Sequence, residues 1–181
     1  MEISSAKRII MIESLLLISI GIASRLLPHP ANFTAVGGLA LFTGARIGFG
    51  KGFMITIITM LMSDALLGFH SVMWATYGSM ALGVYLGYLV QNRSYTFLAI
   101  AVVISSLQFC LITNFAVWLA PNTLYPKTFS GLIECYVMAL PFFRNSLLGD
   151  VVYTTVFFTV AELIRNTKKI SVINLVINNL D

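Results

Sequence analysis

Six apolar stretches cover most of this 181-residue chain, and few charged residues interrupt them. Hydrophobic residues make up 58% of the sequence and charged residues 10%, whereas soluble domains carry about 25% charged residues. The mean hydropathy is +0.90. This balance predicts an all-α integral membrane protein, because a helix satisfies its own backbone polar groups within the lipid.

The apolar stretches predict a single domain that is a compact bundle of about six transmembrane helices. A spanning helix needs roughly 20 apolar residues, or fewer where the bilayer is locally thinned. The predicted spans lie near residues 9–24, 35–49, 53–67, 71–90, 95–119 and 146–164. The second and third spans are short and nearly adjacent, so they are expected to form a tight hairpin.

The segment 120–145 is predicted to be an outer loop, with an interfacial or re-entrant part at 128–143. A seventh span is the alternative, since this part is also apolar. It would place Arg165 and the two lysines that follow it outside, and it would contain Glu134 and Pro141. Six spans are therefore preferred.

The basic residues predict which side of the membrane each end occupies. Cytoplasmic loops of membrane proteins carry an excess of Lys and Arg. With both termini cytoplasmic, eight basic residues fall inside and three outside. The inner set is Lys7, Arg8, Arg46, Lys51, Arg93, Arg165, Lys168 and Lys169, and the outer set is Arg25, Lys127 and Arg144.

Small residues recur at every fourth position in two of the predicted helices. One stripe consists of Ala40, Gly44, Gly48 and Gly52, and the other of Ala75, Ser79, Gly83 and Gly87. Such stripes let membrane helices approach closely. Packing inside the bundle and an exposed docking face for a partner subunit both fit this pattern.

Polar residues at membrane depth gather near the outer ends of three predicted spans. Asp64, Asn114 and Asp150 lie about one helical turn inside their spans, with Trp118 at a comparable height. A carboxylate facing hydrocarbon costs about 2.5–3.5 kcal/mol on insertion scales, so these groups are expected to face inward. The convergence favours a binding pocket, while salt bridges that hold loops to helices remain the alternative.

The outer loop at residues 25–34 has the sequence Arg-Leu-Leu-Pro-His-Pro-Ala-Asn-Phe-Thr. Its two prolines hold the chain around His29 extended, and a stiff loop loses less entropy when it covers a ligand. The sequence has no catalytic motif, no nucleotide-binding motif, no clustered metal ligands and no basic run suited to nucleic acid. It therefore predicts a protein that is not an enzyme and needs no cofactor.

Three motifs carry a resemblance to a known family: the loop 25–34, Ser63-Asp-Ala-Leu-Leu-Gly-Phe-His70, and Pro141-Phe-Phe-Arg-Asn-Ser-Leu-Leu-Gly-Asp150. They resemble an uncharacterised family of small bacterial transport proteins, which looks related to the substrate-binding S components of energy-coupling factor vitamin transporters. This resemblance implies a six-helix protein of the bacterial cytoplasmic membrane, with a pocket closed by outer loops. It also implies docking on a transmembrane coupling subunit served by ATPases, with Ala40, Gly44 and Gly48 as candidate docking residues.

The leading hypothesis is therefore a substrate-binding membrane subunit for uptake of a small molecule such as a vitamin or its precursor. The alternative is a structural subunit of an envelope complex, which would need the packing stripes but no outer pocket. The candidate binding residues are Arg25, His29, Asn32, Asp64, His70, Asn114, Trp118, Arg144, Asn145 and Asp150. The expected partners are this small molecule, membrane lipid and the coupling subunit, without nucleic acid.

Overall fold

The computed structural model describes the backbone of residues 5–177 and the side chains of residues 11–167. Over this range the chain forms six α-helices and no strand: α1 Ser5–Leu26, α2 Val36–Ile47, α3 Phe49–Leu67, α4 Met73–Leu89, α5 Tyr95–Leu119 and α6 Phe129–Ile177. The all-helical prediction is confirmed. Four basic residues used to predict the orientation, Lys7, Arg8, Lys168 and Lys169, have side chains outside the described residues.

Among the residues whose side chains are described, three helices are long and apolar enough to cross a membrane, and they support the membrane assignment. They are α3, α5 and the part of α6 from Phe129 to Thr167, with mean hydropathies of 1.4, 2.1 and 1.6. α2 is apolar too, but at 12 residues it is only about 18 Å long.

The short helix α2 lies at the centre of the bundle. Every residue from Val36 to Ala45 is buried, and α2 contacts each of the other five helices. Because neighbouring helices cover its whole surface, α2 can be apolar all round although it is short. It ends at Gly48, whose φ of 96° is in the left-handed region that glycine adopts without strain. This residue makes the tight hairpin into α3.

The two small-residue stripes face each other across the contact between α2 and α4. A Cβ atom at Gly44 would overlap the carbonyl oxygen of Val84, and one at Gly87 would overlap that of Leu41. Ala40 is fully buried and would lie 3.4 Å from a Cβ at Gly83. The stripes therefore serve internal packing. Ala40 and Gly44 cannot form an exposed docking face, which corrects that part of the prediction.

α6 differs most from the sequence-based prediction. The region 129–143, predicted as an outer or re-entrant segment, is helical and continuous with the span that follows it. From Leu132 to Arg144 the sequence contains no glycine and no run of polar residues that would end the helix. Pro141 removes one backbone donor, a loss that membrane helices tolerate. Only residues 120–128 connect α5 to α6.

The contacts between α5 and α6 show that the two helices do not run parallel throughout. Cys135 Sγ lies 3.4 Å from the Asn114 carbonyl oxygen, and Ser106 Oγ donates to Asp150 at 2.6 Å. On α5 these contacts are eight residues apart, or about 12 Å along the helix axis. On α6 they are fifteen residues apart, or about 22 Å. α6 therefore inclines or curves relative to α5 between these two contacts.

Candidate functional site

A cavity of about 420 Å³ lies at the end of the bundle where α1 and α3 end and α4 begins. All six helices and the connections after α1 and α3 line it. Six of the ten predicted binding residues are in its wall: Arg25, His29, Asn32, His70, Asn114 and Asp150.

Arg25 and Asp64 form an ion pair beside the cavity, in which Asp64 is buried and Arg25 is partly buried. Arg25 Nη2 lies 2.6 Å from Asp64 Oδ1, and its Nη1 donates to Ser63 Oγ at 2.5 Å. Tyr77 donates its hydroxyl to Asp64 Oδ2 at 2.7 Å. Asp64 is 1% exposed and does not line the cavity, whereas Arg25 does. Asp64 therefore neutralises and positions Arg25.

Asp150 is held in a different way, at the first turn of α2. Ser106 donates to its Oδ2, and the backbone N–H of Gly38 donates to the same carboxylate. A Cβ atom at Gly37 would overlap Oδ1, so glycine is what allows this approach. The first turn of a helix has N–H groups without intrahelical partners and a partial positive charge. Asp150 therefore caps α2 from another helix, with no cation bound to it among the described residues.

Two buried polar atoms of the cavity wall have no hydrogen-bond partner within the described part of the chain. They are Ser79 Oγ, in a residue that is 1% exposed, and Gln108 Oε1. The Gln108 amide nitrogen is already used, since it donates to the Ser79 carbonyl oxygen at 3.0 Å. Buried polar groups are nearly always hydrogen-bonded, so these two atoms retain unused hydrogen-bonding capacity in residues that line the cavity.

The loop after α1 forms part of the cavity wall. His29 Nδ1 lies 2.6 Å from the Leu27 carbonyl oxygen, and Asn32 has a φ of 64°, which asparagine tolerates better than most residues. Asn145 donates to the Ala31 carbonyl oxygen at 3.0 Å. Asn145 thus ties this loop to α6 and does not itself line the cavity.

Two other predicted residues lie away from the cavity. Trp118 donates its ring N–H to the Pro126 carbonyl oxygen at 3.0 Å, and the Lys127 ammonium lies 5.5 Å from the ring centroid. These contacts fold the connection between α5 and α6 against the end of α5. Arg144 is exposed on α6.

Sequence reasoning missed the uncharged polar residues of the wall. Ser79 belonged to a small-residue stripe that was assigned to packing or docking, and Gln108 was not among the candidate binding residues. The other such residues are Thr34, Thr76, Ser105, Thr113 and Ser146. The available signal was a Gln with Ser105 and Ser106 in the middle of the most apolar helix, since such residues tend to face a bundle interior.

Comparison with known proteins gives one family. Residues 4–173 match the model of a family of unknown function, DUF6580. No curated protein and no solved structure shows significant similarity to the chain. Since the match covers nearly the whole sequence, the chain belongs to this family.

Proposed function

We propose that this family member is a membrane transport protein that binds a small polar molecule and acts as the substrate-binding subunit of an uptake system. The observation that carries this proposal is the pair of unpartnered polar atoms, Ser79 Oγ and Gln108 Oε1, in the wall of the 420 Å³ cavity. Pockets of roughly 300–1,000 Å³ with a few convergent polar groups are typical of small-molecule sites.

The charges around the cavity favour an uncharged or zwitterionic substrate. The Arg25 guanidinium is paired with Asp64, and the Asp150 carboxylate lies against the N-terminal turn of α2. The remaining groups are hydroxyls, amides and two imidazoles. A molecule with several hydrogen-bonding groups and no strong net charge, such as a vitamin precursor, suits this wall best.

The proposal includes six membrane spans in the bacterial cytoplasmic membrane, both termini in the cytoplasm and the cavity open to the outside. The distribution of basic residues supports this orientation. Arg46, Arg93 and Arg165 meet at the end of the bundle opposite the cavity, as the positive-inside rule requires if that end is cytoplasmic.

The energising partner is proposed from the S-component resemblance alone. The chain would bind solute, and a transmembrane coupling subunit with ATPases would drive its release inward. Since Ala40 and Gly44 are buried, only Gly48 of the predicted docking residues lies at the bundle surface. Docking would therefore have to use other surface residues around Gly48.

The proposal is tested by identifying what the cavity retains. Full-length protein purified in mild detergent is analysed by native mass spectrometry for a bound small molecule. Ser79→Ala should weaken its binding about three- to tenfold, because one neutral hydrogen bond from the hydroxyl is lost. The ligand-free variant should not melt earlier, since the hydroxyl makes no bond within the described structure.

Thr154→Val is the matched control, because Thr154 Oγ1 is also buried and unpartnered but lies outside the cavity. It should leave occupancy unchanged. The transport proposal would be contradicted if the wild-type protein neither retained nor took up a small molecule. Copurification with an envelope assembly complex would then favour the structural alternative.

A further inference from the structure

The end of the bundle opposite the solute cavity holds a second cavity with a strongly basic wall. Its volume is about 330 Å³, and Arg46, Arg93 and Arg165 line it. Glu162 Oε1 accepts a hydrogen bond from Arg46, and Glu162 Oε2 lies 2.6 Å from Arg165 Nη2. Three guanidinium groups thus face one carboxylate, which leaves a net charge of about +2.

Arg93 is the group that this network does not neutralise. It is exposed and has no ion-pair partner within the described residues, whereas Glu162 holds the other two arginines. Arg46 is fixed further by the Phe158 ring, whose centroid lies 5.2 Å from the guanidinium carbon. The first residues of α5 also line this cavity, and Ser94 gives them no side-chain cap. The N–H groups of this turn add to the positive potential.

An apolar groove of about 540 Å³ adjoins this basic cavity. It runs between α5 and α6, and its walls include Ala99, Val103, Val151 and Leu163. The two spaces share Tyr95, Leu98, Phe158 and Glu162, so the groove opens directly into the basic cavity. The groove covers about 12 Å along α5 and about 22 Å along α6, measured by helix rise.

A basic cavity joined to an apolar groove on a membrane helix bundle matches an amphiphile with an anionic head. We propose that this composite site binds an anionic phospholipid, with the phosphate among Arg46, Arg93 and Arg165 and an acyl chain along the groove. Guanidinium groups bind phosphate oxygens through paired hydrogen bonds. A zwitterionic headgroup also carries a cation, which the arginines would repel. The site is separate from the solute cavity, so it stands independently of the proposed function.

The test compares lipid binding by the full chain and its variants. Protein in neutral detergent is titrated with phosphatidylglycerol, with phosphatidylcholine of the same acyl chains, or with inorganic phosphate alone, and bound species are counted by native mass spectrometry. Phosphatidylglycerol should bind the wild type more tightly than phosphatidylcholine. Arg93→Gln should weaken it roughly fivefold, as expected for one basic contact with an anionic lipid.

Two further variants separate the site from a general surface effect. Lys51→Gln removes an exposed basic residue that lines neither space, and it should bind like the wild type. Ala99→Phe narrows the groove without changing charge, and it should weaken phosphatidylglycerol binding as well. Equal losses in Lys51→Gln and Arg93→Gln, equal binding of the two lipids, or saturation by inorganic phosphate alone would each overturn the proposal.

Discussion

Two buried aspartates in this bundle are stabilised by different means. Asp64 has a guanidinium and a phenol as partners, while Asp150 has a hydroxyl and the first turn of α2. A fixed cation and a helix N-terminus both offset the cost of taking a carboxylate out of water. The difference matters for binding, because the pair at Asp64 meets the cavity only through Arg25, whereas the carboxylate-bearing residue Asp150 lines the cavity itself.

Asp64→Asn should destabilise the fold by up to about 3–5 kcal/mol, since it leaves the partly buried Arg25 charge without its partner. Thermal unfolding in detergent measures the loss. Glu134→Gln is the control, because Glu134 is exposed on α6 and should melt like the wild type. In the double variant with Arg25→Gln the losses should be well below additive. An additive result would show that the two groups do not act as a pair.

The position of the site along the chain could be predicted from individual residues, but its contacts could not. Asp150 and Asn114 were predicted to face inward because lipid makes polar residues at that depth costly, and both line the cavity. Their partners depend on tertiary packing. Asp150 reaches α2 only because residue 37 lacks a side chain, and Trp118 turns towards Pro126 instead of the cavity.

At the level of helices, close approach between backbones determines the architecture. α2 and α4 touch through main-chain atoms at Gly44 and Gly87, so dispersion contacts extend along both helices. The sequence predicted the small-residue stripes but could not tell whether they face each other. It also missed the helix at 129–143, since Pro141 and Glu134 argue against a membrane helix and only packing against α5 decides the matter.

Gly87→Ala should destabilise the bundle by about 1–3 kcal/mol or more. The new methyl group would overlap the Leu41 carbonyl and force α2 and α4 apart. Gly78→Ala is the matched control on the same helix. Nothing lies within 4 Å of a Cβ there, so it should be neutral or stabilising by up to about 1 kcal/mol. Thermal unfolding of both variants tests this, and equal stability would refute the close contact.

On the scale of the whole molecule, the bundle has two chemically different ends. The end with the solute cavity carries uncharged polar residues and a closed ion pair, and the opposite end carries three arginines around a cavity. The short helix α2 lies between them, with its N-terminus at the solute cavity and Arg46 in its last turn. This polarity agrees with the two proposals, in which one end binds a solute and the other binds an anionic lipid.

The proposed orientation predicts which end a membrane-impermeant thiol reagent reaches in whole cells. Cys110 and Cys135 are first replaced by Ala, and single cysteines are then introduced at Asn122, in the connection after α5, and at Gly50, near the start of α3. Both positions are exposed, and a side chain at Gly50 meets no neighbouring atom. Asn122→Cys should react from outside, and Gly50→Cys should react only after the membrane is permeabilised, because the basic residues near Gly50 favour the cytoplasmic side. If Gly50→Cys were labelled in intact cells while Asn122→Cys was protected, the proposed orientation would be wrong. The solute cavity would then open to the cytoplasm.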